Sequence, residues 1–173
     1  MAYGCAQTRE CMCLTQRDGQ VISRMPGVAG LQEMSLSPCG RYLYQLSSEA
    51  DCVHTLSSVT GDLLFAAPAG VFPRTMHIAH DRLLVAGGAV GEAYVFQLPD
   101  LRCIRVIHTR HPCFAAGIYR DGYVLVCAAE GEDIHTIVYT LPHQGLRPRT
   151  LVQLPGLPGT LCICADGMLK IGG

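Results

Sequence analysis

Ten cysteines and seven histidines stand out in a chain of 173 residues. Two cysteine pairs, Cys11/Cys13 and Cys162/Cys164, have C-x-C spacing. On a strand that spacing turns both sulfurs to one face, and two such pairs meeting would form a four-thiolate zinc site. Structural zinc more commonly takes C-x₂-C on a turn. No metal or other cofactor is therefore expected, and most of the cysteines are read as small buried hydrophobes. Cys39 is the exception: it sits in the turn S-P-C-G-R with Arg41 nearby, where a thiol would be exposed and reactive. His77 alternates with Met76 and Ile78, and the acidic stretch E-G-E-D at 130–133 lacks the spacing of a calcium loop. G-x-S-x-G, H-E-x-x-H and phosphate-cradling glycine loops do not occur in the sequence.

The elements that must position these groups follow from composition and period. Hydrophobic residues make up 49% of the chain and charged residues 16%, which argues against disorder. A chain of this length buries about 70% of its unfolded surface in one core. The formal charge of −1 leaves no electrostatic footprint for nucleic acid or an anionic membrane, so neither is expected as a partner. The longest weakly polar run, 83–95, is interrupted by Gly87, Gly88, Gly91 and Glu92, too soon to span a bilayer. The first ten residues lack a basic and then apolar leader pattern, so a cytoplasmic location is expected.

A strand–turn–strand unit, S-L-S-P-C-G-R-Y-L-Y-Q-L at 35–46, recurs along the chain. Its echoes are H-I-A-H-D-R-L-L-V-A-G-G at 77–88, G-I-Y-R-D-G-Y-V-L-V-C-A-A at 117–129 and C-I-C-A-D-G-M-L-K-I-G-G at 162–173. Successive starts lie 40 to 45 residues apart. Within each period an apolar strand follows the turn, for example Leu84 to Gly88 or Val124 to Ala128. Next comes a strand of period two (Val53 to Ser57, Ala93 to Leu98, His135 to Leu141), and then a closing strand (Leu63 to Ala67, Cys103 to His108, Thr150 to Leu154). Asp-Gly or Gly-Asp at 18–19, 61–62, 121–122 and 166–167 marks turns in which glycine would supply a positive φ.

Four short antiparallel strands repeating at this interval are the signature of propeller blades. The string L-S-P-C-G-R-Y-L-Y, followed by V-H-T-L-S-S-V-T-G-D-L-L, resembles the YVTN-type, lactonase-like β-propeller repeat. That repeat pairs an S-P-D-G-x-x-L-Y turn with a strand ending in T-G. The first repeat matches well and the others by pattern. Cys39 stands where the family has aspartate, and the second repeat lacks the turn glycine. The expected fold is an all-β propeller of four-stranded antiparallel blades. Its repeats lie near 34–75, 76–114 and 115–160, with a split blade from 161–173 plus 1–33. Unpaired strand edges at both ends are costly. The expectation is therefore a homodimer through the terminal strands, giving an eight-bladed ring; the alternatives are a self-closing four-bladed monomer or part of a longer propeller.

The resemblance also implies which loops share a face. Fourth-to-first-strand connections (26–33, 68–75, 108–114, 155–160) would open beside second-to-third-strand connections (47–52, 88–92, 129–134). The first set carries Arg74, His108, Arg110 and His111; the second carries Glu92, Glu130, Glu132 and Asp133. Bases facing acids would make a ligand mouth, while the plainer reading is that exposed loops are polar everywhere. His77, on an inner strand, would either face an axial channel or be hydrogen-bonded in the core. The expected function is a non-catalytic module that binds a protein or small molecule through this face, or assembles through its rim. The alternative is a lactonase-like small-molecule hydrolase, with or without a metal, although no motif of this sequence matches the family's enzymatic residues.

Overall fold

The computed structural model describes residues 2–5, 10–14, 21–88, 90–120, 122–129, 133–157, 160–163 and 169–172. Among them there are strands and turns and no helix, hence no helix long and apolar enough to cross a membrane. Three consecutive four-stranded antiparallel sheets form the body. The first comprises β4 (Leu31–Leu36), β5 (Tyr42–Ser47), β6 (Cys52–Ser57) and β7 (Leu63–Pro68). β8 (Pro73–Ala79), β9 (Arg82–Gly87), β10 (Glu92–Gln97) and β11 (Arg102–His108) make the second. The third holds β12 (Cys113–Tyr119), β13 (Gly122–Ala129), β14 (His135–Pro142) and β15 (Arg149–Pro155). Each runs in chain order from first strand to last, as the repeat pattern implies.

The terminal segments form separate sheets. One contains β1 (Ala2–Cys5), β2 (Glu10–Leu14) and β3 (Val21–Pro26); the other contains β16 (Thr160–Ile163) and β17 (Leu169–Gly172). The described strands of the segments expected to form a split blade, 161–173 and 1–33, are these together with the start of β4. β4, the first strand of the first four-stranded sheet, begins at Leu31.

The apolar runs and the alternating strands have one explanation. On β9, Leu83 and Val85 point into a core shared with the first sheet, beside Tyr44, Leu46, Val53 and Phe96. Leu84 and Ala86 point the other way, into a core shared with the third sheet, beside Ile118, Leu125 and Cys127. The sheets stack face to face, so a second strand is buried on both faces and reads as continuously hydrophobic. Each buried leucine or valine here contributes about 1.5–3 kcal/mol. The closing strands have a neighbour on one edge only, and they expose Leu63, Leu64, Phe65, Ile104 and Leu151.

First strands of successive sheets lie side by side: β4 against β8, β8 against β12, and β12 against β16. Polar bonds cross the first two of these junctions. Glu33 Oε2 accepts the Met76 N–H at 2.7 Å, and Arg82 Nη1 donates to Tyr123 Oη at 3.0 Å. Thr55 Oγ1 donates to the Pro99 carbonyl at 3.3 Å.

Turn chemistry departs from expectation in the second and third repeats. Gly40 and Gly61 take positive φ, +72° and +76°. At the first hairpin of the second sheet, however, His80 holds that conformation (+56°), and at the third Arg120 does so (+48°) rather than Gly122. Gly122 is already in β13 and packed against the backbone of Leu141. The turns at 18–19 and 166–167 lie outside the described residues.

Candidate functional site

The two loop sets are clasped together by hydrogen bonds on one end of the sheets. In the first sheet, Asp51 supplies both acceptors: its carbonyl takes the Ala69 N–H and its Oδ1 takes the Phe72 N–H, each at 2.9 Å. In the second, the Thr109 N–H donates to the Gly91 carbonyl at 2.7 Å. Thr109 Oγ1 is shared between that carbonyl at 2.9 Å and the His111 carbonyl at 2.7 Å. Gly91 makes the clasp possible. Its φ is +63°, and a Cβ there would fall 2.8 Å from the Thr109 oxygen and 2.9 Å from the His111 oxygen. In the third sheet the Gly156 N–H reaches the Ile134 carbonyl at 2.9 Å.

Within this frame the candidate residues separate. Glu92 and His108 meet: Glu92 Oε1 lies 3.4 Å from His108 Nδ1. The other carboxylate oxygen accepts the Tyr94 hydroxyl at 2.6 Å, and that bond is the main reason the phenol is pushed up to about 12. The His108 side chain is 71% exposed, against 26% for Glu92. Arg74 is committed elsewhere. Its guanidinium lies 5.0 Å from the Phe114 ring centroid and crosses Gly88, where a Cβ would come within 2.6 Å of Nε. His111 serves the clasp through its carbonyl, and Asp133 is exposed. Glu130 and Glu132 lie outside the described residues. His77 Nδ1 accepts the Ile118 N–H at 3.2 Å, and burial holds its pKa below the usual imidazole value.

His108 and Arg110 look sideways, into a cleft of about 600 Å³ between the outer parts of the second and third sheets. It runs from His108, Thr109 and Arg110 down to Leu146, Arg147 and Pro148 in the β14–β15 turn, with Ile107 and Tyr139 behind. Arg105 bridges the two sheets here, donating from Nη1 to the His143 carbonyl at 2.9 Å and from Nη2 to the Gly145 carbonyl. Arg149 lines the adjoining hollow. Among the described residues, Asp and Glu are absent from both linings. Sequence reasoning missed Arg105, Arg147 and Arg149. The one signal was the R-P-R at 147–149, in a turn longer than its counterparts, and nothing in the linear order aligned it with Arg105. Burial raises the Tyr139 phenol's pKa, with Arg110 pulling in the opposite direction.

The cysteines divide differently from the expectation of general core filler. Cys113 and Cys127 are buried as cross-strand partners, their sulfurs 3.1 Å apart. Cys39, Cys103 and Cys162 are exposed, so Cys39 is one of several accessible thiols. Its pKa is lowered first by the Ser37 hydroxyl, 3.3 Å away, with Arg41 a lesser influence. Cys164, needed for the four-thiolate alternative, lies outside the described residues. Among the described residues no group of three His, Cys, Asp or Glu side chains converges as a metal site requires.

No protein-family model matches this chain, and no curated relative matches it. Solved structures do match. Hydrazine synthase of Kuenenia stuttgartiensis superposes with a TM-score of 0.80 at 14% identity, over 94% of this chain and 48% of that one. The dihydro-heme d1 dehydrogenase NirN gives 0.73 at 17% identity, over 96% and 38% respectively. For the WD40 domain of Neurospora crassa Pan2 the values are 0.76 and 13%, over 94% and 53%. These neighbours are β-propellers, and the three four-stranded sheets are propeller blades. The chain spans about half or less of each neighbour's length.

Proposed function

We propose that this chain is a non-catalytic binding module whose propeller scaffold presents a ligand surface at its loop face and the adjoining cleft. The observation that carries this reading is the cleft itself. It gathers side chains from two blades, has the volume of a small-molecule site, and joins permanent cations to the exposed apolar side chains of Val106 and Leu146. The polar groups around it are spent on architecture. Thr109 Oγ1 holds the loop clasp, and the Glu92 carboxylate is divided between Tyr94 and His108. A hydroxyl shared between two carbonyls is poorly placed to act as a nucleophile.

The experiment pairs a thermal-shift screen of small anions, acidic peptides and neutral metabolites with a turnover assay on ester and lactone substrates. Ligands that raise Tm for the wild type and less for His108→Ala or Arg110→Ala support a binding module. Turnover that is lost in His108→Ala would overturn it in favour of the hydrolase.

A further inference from the structure

We infer that the cleft between the second and third blades recognises a phosphate monoester of a small, ring-bearing molecule, held by Arg105, Arg110 and Arg147. The inference deepens the binding-module reading and rests on it.

Charge comes first. Three guanidiniums line one cleft, and among the described residues no carboxylate shares its wall. Glu92, which contacts His108 of the cleft lining, already accepts from Tyr94. Cations gathered without counter-charge repel one another, and a bound anion relieves that repulsion. A phosphate monoester carries close to two negative charges at neutral pH and offers three acceptor oxygens, whereas a carboxylate carries one charge on two. The larger anion is the better match for three forks.

Geometry adds preorganisation. Arg105 is pinned by the His143 and Gly145 carbonyls, which take two of its five N–H donors and fix the plane of the remainder. Its side chain need not be ordered when ligand binds, so that entropic cost is already met in the free protein. Arg110 and Arg147 are exposed on either side of it. Size then points beyond the bare ion. About 600 Å³ is far more than inorganic phosphate fills, and Val106 and Leu146 supply exposed apolar surface against which a ring can pack.

The test titrates the purified chain by calorimetry at low salt with inorganic phosphate, adenosine monophosphate and adenosine. The expected order is the monophosphate tighter than phosphate, with adenosine not binding. Arg110→Ala and Arg147→Ala should each weaken the monophosphate about tenfold or more, as charge-assisted bonds to phosphate do. Arg147→Glu should abolish binding. Arg105→Lys keeps the charge but loses the fork, so it should weaken binding while circular dichroism stays that of a folded chain. Adenosine binding as well as its monophosphate, or phosphate affinities unchanged in Arg110→Ala and Arg147→Ala, would overturn the proposal. So would failure of phosphate and the monophosphate to bind at millimolar concentration. If an acidic peptide without phosphate binds in an arginine-dependent way where the monophosphate does not, the phosphate-ester claim falls and the binding module stands. Arginine-dependent turnover of the monophosphate would overturn both.

Discussion

His77 Nδ1 on β8 accepts the Ile118 N–H of β12 at 3.2 Å, tying the first strands of two blades through an imidazole that must be neutral to accept. Burial holds the imidazole pKa below its ordinary 6.5. The unfolded chain therefore binds the proton more readily than the folded one. Stability from this contact is present above pH 6.5 and is lost as pH falls through the depressed folded value. Thermal unfolding followed from pH 7.5 to 5 should show Tm falling, and His77→Leu should flatten part of that slope. The same substitution leaves a buried N–H without its acceptor, costing about 1–3 kcal/mol at neutral pH.

Glu33 at the preceding junction has the opposite sign. Its carboxylate accepts the Met76 N–H, yet burial outweighs that bond and raises its pKa above 4.5. A raised carboxyl binds its proton more tightly when folded, so its contribution is greatest below pH 4.5 and declines as pH rises through the folded value. Glu33→Gln keeps an acceptor for Met76 and removes the buried charge. It should match or exceed wild-type Tm at pH 7 and show no gain near pH 4; a clear loss of Tm at pH 7 would contradict this account.

Arg105 should matter for folding as well as for binding. Arg105→Met keeps much of the stem's packing and removes both donors to the β14–β15 turn, leaving the His143 and Gly145 carbonyls to water. The expected loss is about 1–3 kcal/mol by urea denaturation, with amide exchange rising first around 143–148. Uniform destabilisation without local exchange at that turn would count against the staple.

Cys39 should react with iodoacetamide at lower pH than an ordinary thiol, because the Ser37 hydroxyl stabilises the thiolate. Peptide mapping should show Cys113 and Cys127 protected by burial. Ser37→Ala should move the midpoint of the Cys39 rate–pH profile upward. An unchanged midpoint would assign the effect to Arg41 or the turn backbone.

A homodimer completing the ring through the terminal strands predicts a light-scattering mass twice 18.6 kDa. A mass near one chain at micromolar concentration would rule it out.

Much of the blade architecture was readable because β-structure writes its period into the chain. Leu83 to Ala86 read as a buried strand since both faces meet a core, and the ends of β6, β10 and β14 fell close to the alternating segments. The turns were less legible. His80 and Arg120 adopt left-handed φ where no glycine signals it, because packing of the flanking strands outweighs the local cost. The candidate site was legible only in part. Glu92 and His108 were named from opposite loops and do meet, whereas Arg74 turns to Phe114 and His77 to Ile118.

Sequence alone determined the strands, their order within a blade and the repeat interval. These depend on hydrophobic alternation and turn residues within a few positions of each other. Only the tertiary structure decided which side chains one period apart would touch. His77 with Ile118 and Arg82 with Tyr123 are each 41 residues apart, and Arg105 with His143 is 38. Stacking successive blades sets equivalent positions side by side, so each contact spans about one repeat. Which of those equivalents bond, and that Arg105 and Arg147 line one cleft, depends on how two sheets diverge toward the rim. That angle is a property of packed faces and is not encoded in any local stretch.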